Sequence, residues 1–253
     1  MVGLLQDKVA LITGGNKGLG RATALAMARE GAKVVVSARG EEAGHETVEA
    51  IRKKGGEAVF VRCDVTRPQE IEALVRATVE TYGRLDCAFN NAGFEGSRFR
   101  IADLPVEVWD EVMDVNLKGV WLSMKYELPQ MVKQGGGVIV NMSSNAGVVG
   151  SSFYAAYAAS KWAVIGLTKA AALEYAKDGI RINAVCPAGT TTEMLNRIVA
   201  ASPLSREAIN ARRPIGREGT PEEVAEPVVW LCSARSSYVN GSALLLDGAA
   251  VAR

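Results

Sequence analysis

The chain has 253 residues, and its 29 lysines and arginines nearly balance its 28 aspartates and glutamates. A net charge of +1 is too small to indicate binding to a nucleic acid or an anionic membrane. The content of 48% hydrophobic residues excludes a disordered chain. The single histidine argues against a histidine-dependent triad or metal site, and four scattered cysteines without a C-x-x-C pair predict reduced, mostly buried thiols in a cytosolic protein.

The first nine residues, Met1–Val9, lack the basic and long apolar regions of a secretory signal, and the first predicted element begins at Val9. No stretch of the chain is long and apolar enough to span a bilayer, so we expect a cytoplasmic protein without a membrane partner. The predicted strands are Val9–Thr13, Lys33–Ala38, Ala58–Arg62, Asp86–Asn90, Val138–Met142, Arg181–Val185 and Ala243–Leu246. The predicted helices between them are Leu19–Glu30, Glu41–Lys54, Gln69–Tyr82, Val106–Lys133, Ala155–Lys177 and Pro221–Ser233.

This alternation predicts an α/β fold. Near-continuous apolar strands are typical of a sheet covered on both faces, and right-handed crossovers make it a doubly wound parallel sheet of about seven strands with helices on both sides. No linker, repeat or low-complexity run divides the chain, which predicts one domain over residues 1–253. The least regular segment, about 187–220, is predicted to be a variable substrate loop, because long irregular insertions in compact domains usually form lids or binding loops.

A glycine-rich turn follows the first strand and opens the first helix, with the sequence Thr13-Gly14-Gly15-Asn16-Lys17-Gly18-Leu19-Gly20. Glycines at this place let backbone N–H groups approach a pyrophosphate at the helix N-terminus. The spacing G-x-x-x-G-x-G differs from the commoner G-x-G-x-x-G and lacks the Gly-Lys-Ser/Thr ending of a nucleotide triphosphatase loop. A purely structural turn is the alternative, but the position between a first strand and a helix favours dinucleotide binding.

The end of the second strand indicates which dinucleotide is bound. An acidic residue there accepts a hydrogen bond from the 2′-hydroxyl of NAD, whereas arginine suits the 2′-phosphate of NADP. This strand ends in Ser37-Ala38-Arg39, and the first carboxylate after it is Glu41. Arg39 offers a planar fork and Lys17 a second positive charge, and two cations converging on one spot favour NADP. The alternatives are that both are solvated surface cations and that the cofactor is NAD.

Tyr157 and Lys161 form a candidate catalytic pair, since residues four apart share a helix face. A nearby cation favours the phenolate and lowers the pKa of the tyrosine, which makes it a usable acid and base. Ser144 ends the fifth strand at the carboxyl edge, where such sheets bind ligands, and Ser143 is its close rival. Each feature alone is also common without function, as a Tyr-x-x-x-Lys pair on an exposed helix or a serine in a turn.

Several motifs occur together in one order and spacing. They are Thr13-Gly14-x-x-x-Gly18-x-Gly20, Asp64-Val65, Asn90-Asn91-Ala92-Gly93, Asn116, Ser144, Tyr157-x-x-x-Lys161, and Pro187 followed by Thr192. With these motifs the chain resembles the short-chain dehydrogenase/reductase family over essentially its whole length. The resemblance implies a Rossmann-like fold and an NADP-dependent carbonyl reductase or alcohol dehydrogenase acting on a small ketone, aldehyde or alcohol.

The resemblance also implies roles. Tyr157 would protonate the carbonyl oxygen during reduction and act as base in the reverse direction, and Lys161 would lower its pKa and bind the nicotinamide ribose. Ser144 would orient and polarise the carbonyl. Asn116 would anchor a water that links Lys161 to solvent. The remaining cofactor contacts would come from Gly14, Asn16, Lys17, Gly18, Leu19, Gly20, Ser37, Arg39, Asp64, Val65, Asn91, Ala92, Pro187, Thr190 and Thr192, and no metal is implied.

The chain departs from the family pattern in two places. Ala188 stands where a glycine is common, so its Cβ would protrude toward the nicotinamide pocket. The segment Leu246-Asp247-Gly248-Ala249 lacks the Gly-Gly pair that is frequent in the family.

The sequence also indicates the character of the substrate cavity and the oligomeric state. The side chains of Phe153, Tyr154 and Leu195 predict a partly apolar substrate cavity. The resemblance further implies a homotetramer, formed through the helices Val106–Lys133 and Ala155–Lys177 and the C-terminal strand.

Three other functions compete with an NADP-dependent reductase. The first is an NAD-dependent dehydrogenase of a sugar, polyol or secondary alcohol. The second is a 3-oxoacyl carrier-protein reductase, which the sequence disfavours because Gly135 and Leu173 stand where such enzymes have basic residues. The third is a non-catalytic, NADP-sensing regulator, which would be expected to lack a catalytic group, whereas all four candidates are present.

Overall fold

The structure, a computed structural model, describes residues 3–252; Met1, Val2 and Arg253, at the ends of the predicted domain, lie outside the described residues. Seven strands form one sheet in the order β3-β2-β1-β4-β5-β6-β7, and every neighbouring pair is parallel. The strands are β1 Val9–Thr13, β2 Lys33–Ala38, β3 Glu57–Arg62, β4 Cys87–Asn90, β5 Gly137–Met142, β6 Ile180–Pro187 and β7 Ala243–Leu246. The predicted doubly wound parallel sheet is confirmed, and the strand ends agree within two residues.

Nine α-helices connect or cover the strands in the described residues. They are α1 Gly18–Arg29, α2 Glu41–Arg52, α3 Pro68–Tyr82, α4 Val106–Met113, α5 Gly119–Lys133, α6 Ala155–Tyr175, α7 Glu193–Ala200, α8 Arg206–Ala211 and α9 Pro221–Cys232. Two predictions need correction. The helix predicted over Val106–Lys133 is interrupted by a π-helical turn at Asp114–Lys118, and the segment predicted as irregular contains α7 and α8.

Two large clusters form most of the core, one on each face of the sheet, and a small third cluster contains Ile165, Ala184 and Cys186. Along β1, Ile12 packs on the side of α1 and α9, and Leu11 packs on the side of α3, α5 and α6. This arrangement explains why the strands read as continuous apolar runs rather than as alternating ones. All four cysteines are free and buried, as predicted, namely Cys63, Cys87, Cys186 and Cys232.

A buried polar network lies between α5 and the sheet. Asn90 Nδ2 donates to Glu127 Oε2 at 3.0 Å and to Asn141 Oδ1 at 3.1 Å, and Asn141 Nδ2 donates to Thr168 Oγ1 at 3.0 Å. Glu127 is fully buried, and burial raises the pKa of its carboxyl to about 7 against a hydrogen bond from Asn90 that lowers it. Within residues 3–252, Glu127 Oε1 and Asn90 Oδ1 have no partner. A protonated Glu127 supplies a donor that the charged form lacks.

Glu127→Gln is expected to flatten the pH dependence of stability. The folded-state pKa lies above the unfolded value of 4.5, so the folded protein binds the proton more tightly and wild-type stability falls as pH rises through about 7. At about pH 8 the variant should have a free energy of unfolding higher by on the order of 3 kcal/mol, and near pH 4 the two should converge. Urea unfolding of both proteins across this range measures the effect. Parallel curves would mean that Glu127 is ionised in the fold.

Candidate active site

The carboxyl ends of the strands open into one cavity of about 810 Å³. Its walls come from the loops after β1, β4, β5 and β6, from the start of α6, and from α7 and α8. This is the edge of a doubly wound sheet at which ligands bind. Thirteen residues predicted from the sequence line it, namely Gly14, Asn16, Lys17, Gly18, Leu19, Asn91, Ala92, Ser144, Tyr157, Lys161, Pro187, Thr190 and Thr192.

Six predicted residues do not line this cavity, namely Gly20, Ser37, Arg39, Asp64, Val65 and Asn116. Desolvation opposes ionisation of Asp64, but hydrogen bonds from Thr66 and the charge of Arg39 hold the pKa of its carboxyl below the usual value. Arg39 therefore lies within electrostatic reach of Asp64, at the exposed end of β2. Ser37 is buried beside them, and its hydroxyl has no partner in the described part of the chain.

The glycine loop between β1 and α1 depends on the left-handed backbone of two glycines and on hydrogen bonds from the side-chain amide of Asn91. Gly14 and Gly18 adopt φ values of 64° and 49°, a region that favours glycine. A Cβ at Gly20 would strike the Gly14 carbonyl, so only a hydrogen fits there. Asn91 Nδ2 donates to the carbonyls of Thr13 and Gly14 at 3.0 and 3.1 Å. No side chain of residues 3–252 caps the start of α1, which leaves its N–H groups available to an anion.

Lys17, one of the two cations predicted to converge on the cofactor, is paired in this structure. The Lys17 ammonium pairs with Glu193 of α7, at 3.2 Å, and both side chains are largely exposed. Glu193, a carboxylate that no sequence pattern predicted at this place, therefore binds this cation at the cavity. Arg39 is left as the cation at the end of β2.

Two serines compete for the role at the end of β5, and the geometry favours Ser144. The Ser143 hydroxyl donates to the Lys161 carbonyl at 2.8 Å, which ties it to the backbone of α6. Ser144 Oγ lies 3.2 Å from Asn145 Oδ1 and 3.5 Å from the Pro187 carbonyl, and it forms a hydrogen bond with Tyr157. The two hydroxyls, of Ser144 and Tyr157, are thus adjacent in the cavity and can reach one carbonyl oxygen.

Burial and the contact with Ser144 are the main influences on the pKa of Tyr157. Desolvation raises the pKa of the Tyr157 phenol, and the hydrogen bond with Ser144 only partly offsets this. Lys161 Nζ lies 5.6 Å from the centre of the Tyr157 ring and donates to the Met142 carbonyl at 2.8 Å. Burial lowers the pKa of Lys161 itself to about 8. Burial therefore disfavours the charged form of both groups, and the lowering of the Tyr157 pKa by Lys161 stays a prediction.

Asn116 lies in the π-helical turn and is fully buried. Its side chain brackets Phe94, accepting from the Phe94 N–H and donating to the Phe94 carbonyl, each at 2.9 Å, and it also donates to Ser160 Oγ at 3.2 Å. Asn116 therefore fixes the loop after β4 against α6. The role as a water anchor stays a prediction.

Several cavity residues carry no motif and were missed from the sequence. Glu95 is buried in the loop after β4, and Arg197 of α7 binds it with two hydrogen bonds of 2.6 and 3.0 Å. Met194, Ile198, Ile209, Arg212 and Arg213 also line the cavity. Their place depends on how α7 and α8 cross the sheet edge, which no local pattern encodes. Tyr154 and Leu195 line the cavity as predicted, whereas Phe153 is 41% exposed, with Arg98 stacked on its ring at 3.9 Å.

The two departures from the family pattern have different consequences. Ala188 lines the cavity, as predicted, and its φ is not positive, so its Cβ is accommodated. Its N–H donates to the Leu246 carbonyl at 3.2 Å. Ala249 adopts a φ of 68°, a left-handed conformation that costs a non-glycine residue about 1 kcal/mol. Asp247 holds this turn by accepting from the N–H groups of Ala249 and Val251.

None of the helices in residues 3–252 has the length and apolarity needed to cross a membrane. No group of three or more His, Cys, Asp or Glu side chains in that range is arranged to hold a metal ion.

Known proteins resemble this chain over almost its full length. A family model described as enoyl-(acyl carrier protein) reductase matches residues 14–249. The A-factor type gamma-butyrolactone 1′-reductase of Streptomyces virginiae is 43% identical, over 97% of this chain and 96% of that protein. The cyclohexanol dehydrogenase of Acinetobacter sp. is 44% identical, over 96% and 94%. A crystal structure of a short-chain type dehydrogenase/reductase from Mycobacterium marinum superposes with a TM-score of 0.93 at 36% identity, covering 98% of this chain and 97% of that one.

Proposed function

The chain belongs to the short-chain dehydrogenase/reductase family of oxidoreductases acting on CH–OH groups, and from this premise we propose an NADP(H)-dependent enzyme that interconverts a ketone or aldehyde with its alcohol. The observation that carries the proposal is the convergence of Ser144, Tyr157 and Lys161 in the cavity that the glycine loop also lines. The test is oxidation of NADPH by a panel of ketones and aldehydes, and reduction of NADP by the matching alcohols.

The residues around the glycine loop fit a dinucleotide. Gly14 and Gly18 make a cradle with left-handed backbone, and the start of α1 has no side-chain cap among the described residues. The buried hydroxyl of Ser37, without a partner in the same range, lies where β2 ends. Further contacts would come from Asn16, Leu19, Asp64, Val65, Asn91, Ala92, Pro187, Thr190 and Thr192.

The chain's own residues would position the substrate and move the proton. Ser144 would donate a hydrogen bond to the substrate carbonyl and orient it toward Tyr157. The Tyr157 hydroxyl would give its proton to the carbonyl oxygen in reduction and recover it in oxidation. Lys161, buried beside them, would favour the phenolate when it is charged and bind the nicotinamide ribose. The hydride comes from, or goes to, the bound nicotinamide.

The segment 187–220 is proposed as the substrate loop. Its base is closed by a parallel bridge between Thr190 and Gly219, and α7 and α8 cross the cavity above it. The named relatives are a reductase of an A-factor type gamma-butyrolactone and a dehydrogenase of cyclohexanol. A small carbonyl or alcohol compound is therefore the proposed substrate.

Arg39 supports NADP as the cofactor. It is an exposed arginine at the end of β2, where the residues of the strand offer no carboxylate. Arg39→Ala is expected to weaken NADPH binding about tenfold and to leave NADH binding unchanged, since a charge-assisted contact to the 2′-phosphate is lost. Titrations with both nucleotides, followed by fluorescence, measure this.

Arg76→Ala on α3, far from the glycine loop, controls for the loss of one positive charge. If wild type binds NADH as well as NADPH, Arg39 is a solvated surface cation. The second candidate, an NAD-dependent dehydrogenase of a sugar, polyol or secondary alcohol, then takes first place.

Two further functions are less well supported. A carrier-protein reductase would bind an acidic partner, but Gly135 and the 83% exposed Leu173 offer no positive charge. A non-catalytic NADP-sensing regulator would bind the nucleotide without turning over any carbonyl of the panel. That result would overturn the enzymatic proposal.

We also propose a cytoplasmic homotetramer. Trp121 on α5, Trp162 and Leu173 on α6, and Leu245 on β7 are large apolar side chains that are 42% to 83% exposed, an arrangement that favours burial between copies of the chain. Light scattering at micromolar concentration tests the assembly.

The four free thiols support the proposed cytoplasmic location, because unpaired cysteines are typical of a reducing compartment.

A further inference from the structure

The charged side chains of the cavity are unequally paired. Five basic and two acidic residues line it, namely Lys17, Lys161, Arg197, Arg212 and Arg213, with Glu95 and Glu193. Lys17 binds Glu193, and Arg197 binds Glu95. Within residues 3–252, neither Arg212 nor Arg213 has a carboxylate within 4.0 Å. Together with Lys161, which donates to the Met142 carbonyl, these two arginines carry the positive charge that the cavity leaves uncompensated.

Arg213 is built into the cavity wall. It follows α8, is partly buried, and donates from Nε to Asn210 Oδ1 at 3.1 Å and from Nη1 to the Gly189 carbonyl at 3.2 Å. Its guanidinium lies directly on Gly189, where an added Cβ would come within 2.6 Å of Nη1 and 2.8 Å of Cζ. A larger residue at position 189 would therefore displace the guanidinium from this place. Nη2 has no hydrogen-bond partner in the described range.

This place is close to the candidate reaction centre. Gly189 is two residues beyond Pro187, whose carbonyl lies 3.5 Å from Ser144 Oγ. Ala188 and Gly189 line the same cavity as Tyr157. A substrate whose carbonyl contacts Ser144 and Tyr157 would therefore share one cavity with the guanidinium.

The neighbouring carboxylate does not neutralise Arg213. Glu218 acts on it electrostatically, but Arg206 holds Glu218 with hydrogen bonds of 2.8 and 2.6 Å, and Thr191 Oγ1 donates to it at 3.1 Å. Burial lowers the pKa of Arg213, yet a guanidinium stays charged in proteins. A partly buried cation without a counter-charge is costly, and an anionic ligand removes this cost.

We propose that Arg213 is a specificity-determining residue that binds a carboxylate of the substrate, so that the enzyme acts on oxo acids and the corresponding hydroxy acids. The inference rests on the proposed function. Arg212, at the exposed rim, adds a second positive charge. A carboxylate fits this group, because both N–H groups of Nη2 and one N–H of Nη1 are left free to donate to its two oxygens. The body of the substrate would be apolar, since Met194, Leu195, Ile198 and Ile209 line the space beside the arginines.

The test compares oxo acids with their uncharged methyl esters. The probes are 4-oxopentanoate, 4-oxocyclohexanecarboxylate and the two esters, assayed with wild type, Arg213→Gln, Arg213→Lys and Arg76→Gln. In wild type, kcat/KM should be higher for each acid than for its ester. Arg213→Gln should raise KM for the acids by at least about tenfold and change the esters by less than about twofold. Arg213→Lys should recover part of the loss, and Arg76→Gln, which removes one distant positive charge, should behave as wild type.

Other outcomes would overturn the proposal. Equal losses on acid and ester, or a lower melting temperature, would assign Arg213 a structural role. Weaker nucleotide binding with an unchanged ratio of acid to ester would assign it to the cofactor phosphates. Turnover of esters without preference for acids would overturn the inference and leave the proposed function intact. If no carbonyl is turned over, the test is calorimetric titration of the NADPH-bound protein with 4-oxocyclohexanecarboxylate. Binding to wild type that is lost in Arg213→Gln would support the anion site. Absence of binding to wild type would overturn the proposal.

Discussion

Tyr157→Phe is expected to lower kcat by about 100- to 10,000-fold, because the variant loses the hydroxyl that transfers the proton while keeping the ring. Nucleotide affinity should stay within about twofold of wild type, since Lys161 keeps its hydrogen bond to the Met142 carbonyl and the glycine loop is untouched. Steady-state assays in both directions, combined with nucleotide titration, measure the two quantities separately.

The pH profile gives a second measure of the same role. Burial raises the pKa of the Tyr157 phenol, so the hydroxyl is protonated at neutral pH and ready to act as an acid. Reduction should therefore be nearly independent of pH around neutrality, whereas oxidation, which needs the phenolate as base, should become faster as pH rises. The residual activity of Tyr157→Phe should lack this rise.

Tyr154→Phe is the matched comparison, because Tyr154 lines the same cavity and the substitution also removes a phenolic hydroxyl. Its kcat should fall by less than about tenfold, since the candidate proton path does not include it. If Tyr157→Phe kept more than a tenth of wild-type kcat, the proton would have to come from another group.

Much of the fold could be predicted because its determinants are local. The runs of valine and isoleucine in β1 and β2 are buried on both faces of the sheet, so they stand out in the sequence as continuous apolar segments. The loops at the carboxyl ends of parallel strands meet at one edge, which is why Gly14, Ser144 and Tyr157 line one cavity despite their separation in the chain.

The rest depends on tertiary placement. The ion pairs of Lys17 with Glu193 and of Arg197 with Glu95 exist only because α7 crosses the cavity, and α7 lies in a segment whose pattern looked irregular. The pKa of Tyr157 could not be predicted from the spacing to Lys161, since the spacing gives proximity but not burial. Position alone did not reveal that Asn116 would occupy a π-helical turn.

Gly20→Ala is expected to weaken binding of NADPH and NADH alike, by at least about 100-fold. The added Cβ would strike the Gly14 carbonyl and would lie 2.6 Å from Asn91 Nδ2, the amide that holds this loop. Because that contact involves backbone, α1 or the loop has to move, and the N–H groups at the helix start then no longer point to one anion. The overpacking should also lower the free energy of unfolding by about 1 to 3 kcal/mol.

Gly18→Ala provides a graded comparison within the same loop. There φ is 49°, but the Cβ would lie 3.4 Å from Thr192 Cγ2, an ordinary contact, so the penalty is about 1 kcal/mol of backbone strain. Nucleotide affinity should therefore fall less than tenfold, as fluorescence titration can measure, with melting temperatures recorded for both variants. Because Gly20→Ala acts on the shared pyrophosphate end, it should affect both nucleotides equally, whereas Arg39→Ala should affect NADPH alone. Unchanged binding by a folded Gly20→Ala protein would reduce the loop to a structural turn and place the phosphate site elsewhere.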